Sequence, residues 1–251
     1  MDIDSFWELI EECRRQAQGR DERLAWLRGA LSQRSLAEVV RFQVRLDEVT
    51  HEAFTWDLWA AADQIFGGWC SDDGFCYFGL WMVGLGREAF TQAVADPDVL
   101  AATPEVQALV GRPREVWNDD WPEWESLDYV AMEAYGILAG VDEKCGEAFY
   151  EAVHAEQGDG GDNSGPLGER WDGRREDEAA RKLPRLRRCF PCDSDPVARA
   201  GADRRINFQS PAETDGQMVQ TDREWSAFSA TRQVTGNAGV LSRISPGVAG
   251  P

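Results

Sequence analysis

Gly67-Gly68-Trp69-Cys70-Ser71-Asp72-Asp73-Gly74-Phe75, continued by CYFGLWMVGLG to Gly86, is the stretch on which the fold turns. Two adjacent glycines stop the segment before them, because glycine readily takes the left-handed conformation that ends a helix. Ser71 then opens a new helix as its N-cap, with Asp72 and Asp73 in the first turn, where carboxylates complement the helix dipole. Phe75, Phe78, Met82 and Leu85 share one helical face, with Trp81 beside them. A helix that is apolar nearly all round belongs in the middle of a protein, so residues 72–85 are expected to form the central element.

Outward from this centre the pattern stays helical. Towards the N-terminus, Ser5 and Glu8 have the spacing of a capping box, and Phe6, Leu9, Ile10 and Cys13 follow at helical intervals in a first helix over 3–18. Leu24, Leu27 and Leu31 line up in a second over 21–32. Ser35 and Glu38 form another capping box, opening a longer helix striped by Val39, Phe42, Leu46 and Val49. TWDLWAAADQIF, residues 55–66, runs helically into Gly67. On the other side, 87–95 reads as a surface helix before the Asp96-Pro97-Asp98 turn, and Thr103-Pro104-Glu105 starts a short helix to Val110. Residues 111–125 read as a loop, and Ser126 as the cap of a helix whose face carries Leu127, Val130, Ala134 and Ile137. Residues 156–168 are rich in Gly, Asp and Ser and read as a mobile loop, and 168–190 as one charged helix ending in a basic cluster. No strand pair is persuasive in the first 155 residues. The expectation is an all-α fold: a compact multi-helix bundle of about six to eight helices over residues 1–190. Residues 191–251 have apolar side chains too sparse to offset the entropy of ordering, so a disordered C-terminal tail is expected there.

Composition narrows the function classes. The formal charge is −19, from 45 acidic and 26 basic residues; such a field repels phosphate backbones and anionic membrane surfaces, and favours a basic partner. Residues 191–251 hold seven acids against six bases, so nearly all of the surplus precedes them. No run approaches the about 18 apolar residues of a membrane span. The acidic start MDIDSFWELIEEC lacks the basic and apolar regions of a secretory leader, and a cytoplasmic protein is expected. The six cysteines read as free thiols. Cys189 and Cys192 have redox spacing without a thioredoxin-like context, and His51 and His154 belong to no metal motif, so no metal site and no cofactor are expected.

WDLWAAADQIFGGWCSDDGFCYFGLWMVGLGREAF (56–90), ADPDVLA (95–101) and DYVAMEAYGILAG (128–140) resemble the bacterial domain-of-unknown-function family 4240. Its members open with an aromatic-rich acidic helix like DIDSFWELIE, then carry a tryptophan pair, a Gly-Gly-Cys-Ser-Asp-Asp-Gly-Phe core and a Gly-Arg-Glu segment. With GERWD (168–172) and LPRL (183–186) the resemblance covers about 1–190. The chain departs from the pattern in Trp69, which stands between Gly68 and Cys70, and in Gly79, where arginine is usual. The resemblance implies no catalytic residue, ligand or partner.

Two candidate sites remain. Asp72 and Asp73, with Arg87 as a bidentate anchor and with Ser71 and Trp59 nearby, would bind a small ligand or a divalent cation; the plain alternative is a capped helix start and a structural ion pair. Cys70 or Ser71 as a nucleophile lacks an adjacent base in the sequence. Trp117, Trp121 and Trp124, interleaved with acids, would form a face for a cationic protein partner; the alternative is that the indoles cover the core. The favoured expectation is a non-catalytic, acidic, cytoplasmic protein that binds or regulates another protein, toxin neutralisation included. The other is a metal- or ligand-binding protein or enzyme working at Asp72, Asp73 and Arg87.

Overall fold

A computed structural model describes residues 1–140, 145–158, 165–173 and 175–191. Apart from Pro191 the expected tail lies outside these residues, as does much of the expected mobile loop. The described chain is all-α: α1 (Ile3–Gln16), α2 (Arg20–Leu31), α3 (Leu36–Glu52), α4 (Trp56–Phe66), α5 (Asp72–Gly84) and α6 (Arg87–Ala95) precede a 3-10 segment, Pro97–Ala102. Then come α7 (Pro104–Gln107), three short 3-10 turns, the last of them Glu125–Tyr129, and α8 (Val130–Ala139), α9 (Cys145–Gln157), α10 (Glu176–Lys182) and α11 (Pro184–Cys189). The β-bridging among the described residues is one isolated parallel bridge, Thr55 to Leu167.

The central stretch folds as its residues require. Gly67 (φ 96°) and Gly68 (φ 107°) are both left-handed and end α4. Ser71 Oγ then accepts the Gly74 N–H at 3.0 Å, the N-cap bond. In α5, Gly74, Phe75 and every residue from Phe78 to Gly84 are buried, and the helix is surrounded by α1, α3, α4, α6 and the 125–129 turn. Each fully buried large apolar side chain is worth about 1.5–3 kcal/mol, so this helix holds much of the folding free energy. Its glycines let neighbours approach: a Cβ on Gly84 would lie 2.8 Å from the Trp124 ring, closer than carbon atoms can stand.

Several local readings need correcting. The α1 cap is Asp2, whose carboxylate accepts the Ser5 N–H at 2.8 Å, so the helix starts before the expected Ser5–Glu8 box. The Ser35–Glu38 box is present in full. Ser126 caps nothing; it lies inside a 3-10 turn, and α8 begins at Val130 with no side-chain cap. That change of helix type shifts the facing direction, so Leu127, Val130 and Ala134 are buried while Ile137 is 60% exposed. The 168–190 segment is two helices, because Pro184 cannot continue α10 and instead starts α11. Helix α9, for which the sequence pattern gives no expectation, packs Phe149 and Val153 into the core.

Two long-range polar anchors close the fold. Asp98 is only 4% exposed, and its carboxylate accepts the N–H of Arg185 at 2.9 and 3.0 Å and of Leu186 at 2.9 Å. It caps the N-terminus of α11 from 87 residues away, supplying acceptors to donors that α11 leaves unpaired. Arg20, at the start of α2, donates to the carbonyls of Asp119, Trp121 and Glu123. One guanidinium thereby gathers the tryptophan loop.

Hydrogen bonds from buried donors to a charged acceptor are worth about 1.5–3 kcal/mol. D98A is therefore expected to lose about that much stability in urea unfolding, with D98N losing less because one carbonyl oxygen remains. An unchanged midpoint for D98A would show that α11 is not anchored there.

Candidate functional site

The structure separates the first predicted constellation. Arg87 lies at the start of α6 and pairs with Asp4 of α1 at 2.7 Å, while its backbone N–H donates to Glu11 at 2.9 Å. The reason is Gly86: its left-handed φ of 93° and missing Cβ leave room for the Glu11 and Arg14 side chains. The Gly-Arg-Glu segment is thus where α1 docks, and Arg87 is engaged away from Asp72 and Asp73. Those two residues occupy the first turn of α5 behind the Ser71 cap.

The second constellation packs largely inward. Trp117 is 1% and Trp124 4% exposed, so neither offers a face to a partner. Trp117 donates its indole N–H to the Arg112 carbonyl at 3.2 Å. Half-buried Trp121 stacks on Phe66 at 5.3 Å, and the backbone N–H of Trp124 donates to the Tyr77 carbonyl at 3.0 Å. The indoles cover α4 and α5, as large aromatics in a core do.

What the fold does form is a cleft of about 920 Å³ between α4, the 68–72 junction and the segment from Gly165 onward. It takes in three predicted residues, Trp59, Ser71 and Asp72; Asp73 and Arg87 do not line it. Trp59 makes one wall. It stacks on Trp56 at 5.6 Å and on Phe75 at 4.6 Å, and its indole N–H donates to the Cys70 carbonyl at 3.2 Å. Asp63 fixes the same junction by accepting the Cys70 N–H at 2.7 Å.

The opposite wall is pinned to α4 by its backbone. The Leu167 N–H donates to Phe54 at 2.8 Å, and the Trp56 N–H donates to Leu167 at 3.0 Å. Gly173 lies against Ala60 so closely that a Cβ would be 2.9 Å from the alanine methyl. Trp171 donates its indole N–H to Asp57 at 2.6 Å; Lys182 pairs with the same carboxylate at 2.9 Å and lies 4.8 Å from the Trp171 ring centre. Arg170 lies 4.8 Å from the Trp56 ring centre. At the rim, Trp69 is 66% and Leu167 48% exposed, the former the most exposed large apolar side chain among the described residues.

The charged groups lining the cleft are Asp63, Asp72, Glu169, Asp172 and Glu178 against Arg170 and Arg175. Acids outnumber bases, so the potential favours cations. Nucleophilic chemistry finds little support. Burial, reinforced by Asp63 and Glu123, pushes the Cys70 thiol far above its ordinary range, which suppresses the thiolate, and neither histidine lines the cleft. Among the described residues no group of three or more His, Cys, Asp or Glu is placed to hold a metal ion.

The model of the family described as "Protein of unknown function (DUF4240)" matches residues 1–136. The chain belongs to that family. The match ends within α8, so GERWD and LPRL lie beyond it, and the cleft combines residues inside the family match (Trp56, Trp59, Trp69) with residues outside it (Arg170, Trp171). No curated protein and no solved structure matches the chain. The Gly67-Gly68 and Gly86-Arg87-Glu88 segments, both within the matched residues, have a structural account here: a left-handed helix stop and the docking point of α1. Sequence reasoning missed Trp56, Trp69, Arg170 and Trp171 as neighbours, although the GERWD segment that brings the last two was noticed.

Two outcomes are expected from the protonation chemistry beside the cleft. Burial raises the Glu123 carboxyl above its ordinary range. A raised folded value means stability that is present at acid pH and lost as pH rises through that value. E123Q is therefore expected to melt higher than wild type at neutral pH, with the gain vanishing as pH falls below the ordinary carboxyl range. A pH-independent difference would assign the effect to hydrogen bonding alone. Cys70 is expected to be alkylated at least about tenfold more slowly than Cys189 in the native protein, followed residue by residue by mass spectrometry; equal rates would show an accessible thiolate.

Proposed function

We propose that this chain is a non-catalytic binding protein whose cleft receives a basic stretch of another protein. The observation that carries the reading is a tryptophan-walled, acid-rimmed concavity with Trp69 exposed at its mouth. Aromatic side chains held rigidly are good anchors for a partner, because little conformational entropy is lost when they engage. Indole faces attract cations, and the surrounding carboxylates select the same sign. The overall charge of −19 adds long-range steering of a basic partner.

The competing reading, a ligand or metal site built from Asp72, Asp73 and Arg87, draws less support, since Arg87 pairs with Asp4 and does not line the cleft. A cytoplasmic setting fits the four cysteines that are free among the described residues, and no helix among those residues is long and apolar enough to cross a membrane. Neutralising a basic toxin is one role this chemistry suits. The folded unit is taken as residues 1–190.

Tryptophan emission reports the encounter directly. Titrating the full chain at low salt with a nine-arginine peptide, against a nine-glutamate control, is expected to give a saturable change with the basic peptide only, weakening as salt rises. W69A is expected to bind about tenfold more weakly, as loss of an exposed aromatic anchor does. The absence of saturable binding, or W69A binding as tightly as wild type, would remove the cleft as the site.

A further inference from the structure

Two cations of the chain lie over two indoles at the cleft, and they are held differently. Lys182 over Trp171 is also ion-paired to Asp57, which accepts the Trp171 N–H as well. That arrangement is a closed structural triad, and Lys182 does not line the cleft. Arg170 over Trp56 does line it, and Arg170 is exposed to solvent. We infer that Arg170 is an internal occupant of the cleft, and that an arginine side chain of the partner displaces it from the Trp56 ring. This inference rests on the reading of the cleft as a site for a basic polypeptide.

Geometry makes the exchange local. The chain on either side of Arg170 is anchored, at Leu167 by its two backbone hydrogen bonds to Phe54 and Trp56 and at Trp171 by the bond from its indole to Asp57. The Arg170 side chain can therefore leave Trp56 by rotating into solvent, with no movement of the cleft wall. Trp56 cannot follow it, because it is stacked on Trp59 (5.6 Å, 22° between planes), which is itself stacked on Phe75. The vacated ring keeps its orientation and faces a cleft lined with carboxylates.

The group that fits is a guanidinium. It is planar, weakly hydrated and able to stack on indole while its edge donates to carboxylates in pairs, whereas an ammonium is a compact, strongly hydrated point charge. Asp72 and Glu169 line the same cleft and supply carboxylates for that edge. The cleft is thus expected to distinguish arginine from lysine at equal charge, and Arg170 to lower its affinity for arginine by competing for one ring.

The test uses the full chain and two peptides of equal charge, nine arginines and nine lysines, in the same fluorescence titration. R170A and R170K are compared with wild type, with melting curves to show that the fold is unchanged. Wild type is expected to prefer the arginine peptide. R170A is expected to bind it roughly two- to five-fold more tightly, the size of one exposed cation–π contact. R170K, which keeps the charge and weakens the stacking, is expected to show part of that gain. The gain must be larger for the arginine peptide than for the lysine peptide. An equal gain for both peptides would report only the removed charge, and an unchanged or weaker affinity of R170A would make Arg170 part of the binding surface; either overturns the inference while binding itself stands. If neither peptide binds wild type or R170A, the binding reading fails and takes this one with it.

Discussion

A helix without a polar face cannot rest on a core; it has to be enclosed by one. That constraint, set by α5, organises everything around it. Nine of its residues are buried, so helices must cover it on every side, and the chain meets this with α1, α3, α4, α6 and the turn before α8. Close enclosure needs small residues at the contacts. Gly84 admits Trp124 and Gly86 admits the Glu11 and Arg14 side chains, which explains why aromatic and charged residues far away in sequence converge there. The entry to the helix is equally constrained. Two left-handed glycines and a serine cap reverse the chain within a few residues, and the short junction they form becomes one edge of the cleft.

Much of this fold is legible in the residues, and the reasons for the rest are physical. Periodicity and caps locate α1 to α6 because those signals are local: the Ser35–Glu38 box, the Gly67 stop and the apolar run from Phe75 act within one turn of themselves. Periodicity fails where geometry changes type. The 3-10 turn at 125–129 takes Ile137 off the expected buried face, and Pro184 divides what composition presents as one charged helix. The tryptophan loop misleads for another reason. Acids interleaved with indoles look like a surface, yet Arg20 collects the loop's carbonyls and turns Trp117 and Trp124 inward. A guanidinium about 100 residues upstream leaves no local signal of that role. The cleft was legible only in part for the same reason: Trp59, Ser71 and Asp72 share a neighbourhood in sequence, but their opposite wall arrives from the 165–178 region.

That origin bears on what the family has in common. The match to the family stops at 136, so the enclosed helix, its glycine contacts and the α1 docking point lie within it. Arg170 and Trp171 do not. The family region of this chain therefore supplies an aromatic wall, while the residues that complete the cleft come from sequence beyond the match.

The buried carboxylate of Asp98 has a consequence for the order of events on the ribosome. Its acceptor oxygens are made some 87 residues before the N–H groups they will hold. While the intervening chain is synthesised, the site must stay hydrated and open, since an ionised carboxylate cannot be left dry and unpaired. Closure of that flank is thus a late event, tied to the emergence of Arg185 and Leu186. The segment that brings Arg170 and Trp171 to α4 emerges only shortly before. Final sealing of that flank and arrival of the second wall of the cleft are therefore close neighbours in time.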